Sequence, residues 1–78
     1  MESKLEIAKR VIKENFKYGD CGLFNNRNTV SEPMCVIYIG NGLLIEICYR
    51  YAYFEVFGLS NKEFNELSMY YNELKGRR

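Results

Sequence analysis

The chain of 78 residues contains no histidine. Without an imidazole, none of its three cysteines, Cys21, Cys35 and Cys48, has the base that a papain-like dyad requires. Their separations, 14 and 13 residues, form no C-x-x-C pair, which argues against a zinc site. No apolar run approaches the ~20 residues that span a bilayer. Residues 1–17 interleave charges instead of presenting an uninterrupted apolar segment, so a signal peptide is not expected either. Cysteines without such a leader fit reduced thiols in a cytoplasm. The single proline, Pro33, lacks a backbone donor and marks the start of a strand, not its middle.

Charge of either sign is also scarce in sum. A net charge of +1 gives no general affinity for a phosphate backbone, and no direct nucleic-acid or membrane partner is expected. The distribution is uneven: residues 1–18 carry five Lys/Arg against three acids, and residues 19–74 carry three against seven. Lys75, Arg77 and Arg78 close the chain, so an acidic centre lies between basic ends, which read as solvated faces and a tail.

What the chain does have is 47% hydrophobic and 15% aromatic residues, the composition of one small globular domain spanning 1–78. A chain of this length buries only roughly 60–65% of its unfolded surface, so a partner or a second copy would add needed cover. Ser3-Lys4-Leu5-Glu6 fits a capping box that opens a helix with Leu5, Ala8, Val11, Ile12 and Phe16 on one stripe and Gly19 as its stop. Asp20 to Phe24 reads as a short extended segment or edge strand. Asn25-Asn26-Arg27-Asn28-Thr29 is a polar loop, in which Gly22 and the asparagines could alternatively cradle an anion beside Arg27.

Residues 34–57 read as strands joined by tight turns. Asn41-Gly42 has the φ tolerance of a type I′ turn, which sets Tyr38 opposite Ile45, Val36 opposite Ile47 and Cys35 opposite Cys48. A second turn at Arg50-Tyr51 sets Ile47 opposite Phe54 and Ile45 opposite Val56. Side chains alternate, so one face collects Val36, Tyr38, Leu43, Ile45, Ile47, Tyr49, Ala52, Phe54 and Val56 with no charge among them, and forms the core. Ser60-Asn61-Lys62-Glu63 is a second capping box, opening a helix with Phe64, Leu67, Tyr70 or Tyr71, and Leu74 as its stripe and Gly76 at its end. The fold class is therefore α+β: an N-terminal helix, a three- to four-stranded antiparallel meander and a C-terminal helix packed on one sheet face.

Two helices can cover one face of such a sheet and not both. The other face holds Cys35, Ile37, Ile39, Leu44, Glu46, Cys48, Tyr53, Glu55 and Phe57, with Glu46 and Glu55 directly opposed. Carboxylates ~5 Å apart repel one another. They point to solvent, receive Lys or Arg from a protein partner, or hold a divalent ion or act as an acid/base pair. Cys35 and Cys48 read as cross-strand packing residues. Of seven tyrosines, Tyr38, Tyr49 and one of Tyr70 and Tyr71 suit the margins of the core, which leaves Tyr51, Tyr53 and Phe57 as contact residues. No catalytic residue and no cofactor is expected.

The blocks Asp20-Cys21-Gly22-Leu23-Phe24-Asn25-Asn26-Arg27-Asn28 and Ile47 to Ser60, with Cys48-Tyr49-Arg50-Tyr51-Ala52-Tyr53-Phe54-Glu55 at its heart, resemble small proteins of prophages and other mobile elements of Gram-positive bacteria. In size and in its helix, meander, helix layout the chain is also similar to anti-CRISPR proteins. That likeness implies an inhibitor that binds a CRISPR effector and blocks its nucleic-acid channel or its activation; the lack of catalytic apparatus makes the expected inhibitor non-enzymatic, and the acidic centre offers carboxylates in place of phosphates. Glu46, Glu55, Tyr53, Phe57, Tyr51, Arg27 and Arg50 are the candidate contact residues. Two other readings are an oligomeric sponge that holds a nucleotide signal through Arg27, Arg50 and tyrosine stacking, and a homodimer formed through the mixed sheet face.

Overall fold

The computed structural model describes residues 2–16, 22–25, 34–48 and 53–76. In chain order the elements are α1 (Lys4–Glu14), β1 (Gly22–Asn25), β2 (Cys35–Gly40), β3 (Leu43–Cys48), β4 (Tyr53–Phe57) and α2 (Asn61–Gly76).

Both helices begin where their capping chemistry dictates. At α1 the Glu6 amide donates to Ser3 Oγ and the Ser3 amide donates to Glu6 Oε1, each at 3.2 Å. Two donors that no helical carbonyl can reach are thereby satisfied. At α2 the Glu63 amide donates to Ser60 Oγ at 3.1 Å, and the Ser60 amide to Glu63 Oε1 at 2.9 Å. In both cases these hydrogen bonds from the serine hold the glutamate below its ordinary pKa. The first helix ends at Glu14: Asn15 leaves helical geometry, and its side-chain amide donates to the Val11 carbonyl at 2.8 Å. Gly19, expected as the stop, lies outside the described residues, as do Tyr49, the Arg50-Tyr51 turn and Ala52.

The four strands form one sheet in the order β1-β4-β3-β2. Asn41 and Gly42 both take positive φ, 54° and 73°, the signature of a type I′ turn between β2 and β3. In the β3–β4 ladder Ile45 faces Val56, Glu46 faces Glu55 and Ile47 faces Phe54, as the spacing predicts. The sheet is not a pure antiparallel meander, however. β1 runs parallel to β4, with Leu23 beside Phe54 and Phe24 beside Glu55, so the sheet is mixed.

A second correction concerns β2. Tyr38 faces Ile45 as expected, but the ladder shifts at the next step and Val36 faces Glu46. Ile37 is the extra residue of a bulge, so Cys35 lies opposite Ile47 and not Cys48, and Val36 does not face Ile47. The shift has a hydrophobic rationale. Ile37 and Tyr38 both pack against the core margin, while the smaller Val36 is left 54% exposed.

The core joins Ile7, Ala8, Val11 and Ile12 of α1 and Leu67 and Tyr71 of α2 to Leu43, Ile45, Ile47, Phe54 and Val56 of the sheet. Each Val, Leu, Ile or Phe side chain among them contributes about 1.5–3 kcal/mol when fully buried. Tyr71 ties the layers together: its ring meets Phe54 edge-on at 5.9 Å and Phe16 edge-on at 5.7 Å. Ile7, absent from the stripe expected from spacing, is buried beside Ala8.

Where β4 gives way to α2, Gly58 takes φ 105°, and a Cβ built on it would overlap the Gly42 carbonyl oxygen of the hairpin turn. Two backbones meet here with no room for a side chain. Gly58→Ala should therefore cost about 3 kcal/mol in urea unfolding. Gly76→Ala, where an added Cβ meets nothing within 4 Å, should shift stability by under about 1 kcal/mol.

The capping glutamates give a pH prediction with a definite sign. Their folded pKa values lie below the ordinary 4.5, so their contribution is present above that value and is lost as pH falls through the depressed folded values. Thermal melts followed by circular dichroism from neutral to acidic pH should show a smaller acid-side loss for Glu6→Gln/Glu63→Gln than for the parent chain.

Candidate partner-binding face

The sheet face that carries Glu46 and Glu55 is built in cross-strand rows, because directly paired residues share a side. One row runs Ile39, Leu44, Phe57 across β2, β3 and β4. The next runs Val36, Glu46, Glu55 and Phe24, ending on β1. A third pairs Cys48 with Tyr53 beside Gly22.

These rows differ in cover. Cys48 and Tyr53 are buried, and Glu55 is 2% exposed. Tyr53 packs edge-on against Phe24, with ring centroids 5.2 Å apart. The expectation of one open, mixed face is therefore corrected: its Cys48–Tyr53 end is closed, and Tyr53 belongs to the interior. The Ile39 end is open. Ile39 is 76% exposed, and Leu44 and Phe57 are half-buried. Together with Gly40, Gly42, Leu43 and Gly58 they line a groove of 420 Å³.

Glu46 stands between the two ends, half-buried, with Glu55 as its cross-strand neighbour. Two carboxyl groups of unlike environment thus share one row. At the far end of the groove the Lys4 ammonium donates to the Gly58 carbonyl at 3.2 Å and lies beside Gly42. The groove therefore has a cation at one rim, and the Glu46 carboxylate stands in the neighbouring cross-strand row, outside its lining. Spacing on α1 turns Lys4 outward; its reach to Gly58 depends on the tertiary approach of α1 to the β4–α2 corner. Ile39 and Leu44 also belong to this site. Their signal was their place on the non-core face, beside Phe57.

Of the other candidate contact residues, Arg27, Arg50 and Tyr51 lie outside the described residues. The start of the loop that could alternatively have cradled an anion is a strand. Gly22 and Asn25 are strand residues paired with Tyr53 and Val56, and a Cβ on Gly22 would meet the Phe24 ring at 3.2 Å. Cys35 is exposed and Cys48 buried, and they are not cross-strand partners. Among the described residues, no three His, Cys, Asp or Glu side chains gather as a metal site. No helix among them is long and apolar enough to cross a membrane.

No family model matches the chain, and no curated protein or solved structure matches it either.

The unlike burial of the two carboxylates separates their roles in a mutational test. Glu55→Ala removes a buried polar side chain and should cost about 3 kcal/mol in urea unfolding, whereas Glu46→Ala should change stability by under about 1 kcal/mol.

Proposed function

We propose that the protein is a non-enzymatic inhibitor carried by a mobile element, acting by stoichiometric binding to a host defence protein, with a CRISPR effector as the candidate target. The observation that carries this reading is the uncovered Ile39–Leu44–Phe57 row with Glu46 beside it. Apolar anchors next to a carboxylate suit a basic surface that also offers an apolar side chain, and surfaces that hold nucleic acid have that character. In this reading both helices occupy the Ile45–Phe54 side of the sheet, and the opposite side receives the partner.

The partner's aliphatic or aromatic side chain enters the groove, and a Lys or Arg of the partner meets Glu46. Affinity comes from the buried apolar contact; the carboxylate contributes orientation and exclusion of acidic competitors.

Mixing the purified protein with candidate effectors should give a co-eluting complex on size exclusion and a loss of nuclease activity. Phe57→Ser and Glu46→Lys should each weaken that complex at least about tenfold, the equivalent of 1.4 kcal/mol or more. Effectors that neither co-elute nor lose activity would end the proposal.

A further inference from the structure

The turn between β2 and β3 brings together groups from three parts of the chain. Asn41 and Gly42 are exposed and take positive φ, so the turn stands clear of the core. Asn41 is also the chain's one asparagine followed by glycine. That pair closes on itself more readily than other asparagine pairs, because no side chain shields the glycine amide nitrogen from the carboxamide carbon. Two further groups flank the reacting atoms here. Asn41 Nδ2 donates to the Tyr38 hydroxyl at 2.9 Å. On the other side, the Lys4 ammonium lies 3.1 Å from where a Gly42 Cβ would stand, a position that glycine leaves open to it.

We propose that Asn41 is a site of self-modification, in which the Gly42 amide nitrogen attacks Asn41 Cγ, Lys4 assists the nucleophile and Tyr38 assists the leaving group. The Gly42 amide loses its proton to solvent, and the nearby Lys4 cation favours the negative charge that results. As the N–Cγ bond forms, Nδ2 changes from amide to amine and gains a lone pair. The contact with Tyr38 then reverses its sense: the phenol donates, the Cγ–Nδ2 bond breaks and ammonia departs. Solvent returns the proton to Tyr38. The product is a five-membered succinimide, which water opens without any change of oxidation state. Cleavage of its bond to Cγ leaves aspartate. Cleavage of its bond to the main-chain carbonyl carbon leaves isoaspartate, whose backbone runs through Cβ and Cγ.

Both products alter the frame of the groove, since Gly40 and Gly42 line it on either side of Asn41. Aspartate adds a carboxylate and removes the amide donor to Tyr38. Isoaspartate also inserts one backbone carbon where the Gly42 carbonyl abuts Gly58 and leaves no slack.

The purified full chain, held at physiological temperature in mildly alkaline buffer with and without urea, is followed by intact mass and peptide mapping. The native chain should exchange –NH2 for –OH at position 41, giving a mixture of aspartate and isoaspartate, and Asn41→Gln should suppress the change. Tyr38→Phe and Lys4→Met should each slow the native conversion at least about threefold, with unchanged circular dichroism, and leave conversion in urea at the parent rate. A native chain that keeps its carboxamide for as long as the urea-unfolded chain takes to convert overturns the proposal. So does native conversion that either substitution leaves at the parent rate, or a slowing that persists in urea, where neither group is held beside the turn.

Discussion

The pairing of β3 with β4 decides more about this molecule than any other contact. With Ile45 against Val56 and Ile47 against Phe54, four apolar side chains project together and can close over the helical residues Ile12, Leu67 and Tyr71. The same register forces Glu46 against Glu55 on the reverse side. A slip by one residue would exchange the faces, sending a carboxylate toward the core, at a cost of several kcal/mol. Core and acidic pair are therefore two sides of one choice. The Gly58–Gly42 approach holds the end of this unit by bringing the β2–β3 turn against the β4–α2 corner.

Much of that unit was legible because its signals are local. Asn41-Gly42 names a turn type, alternation names the faces, and each Ser-x-x-Glu names a helix start; the positive φ values, the β3–β4 register and both capping boxes agree with them. The parallel β1–β4 pair was not legible. Leu23 and Phe54 are far apart in sequence, and a parallel neighbour has no turn motif linking it to its partner. The bulge was hidden for another reason. In β2, alternation assigns Ile37 to the non-core face, whereas packing favours burying Ile37 with Tyr38 and leaving Val36 outside. Tertiary competition between two β-branched side chains leaves no mark in the local pattern.

The candidate site shows the same division. Opposition of Glu46 and Glu55 follows from two turns and simple counting, but their unequal burial does not. Glu55 has β1 on its far side, through Phe24, whereas Glu46 has β2, where the exposed Val36 is its neighbour. The position of a strand within the sheet thus separates two residues of the same type. Tyr53 is buried on the same side for a related reason: with Gly22 as its β1 neighbour there is room for the Phe24 ring to meet it edge-on.

The groove and the outer strand share Ile39, which lines one and stands on the other. The electrical character of the open surface constrains what it can bind. A face that carries Glu46 is unfavourable toward itself and favourable toward a cationic surface.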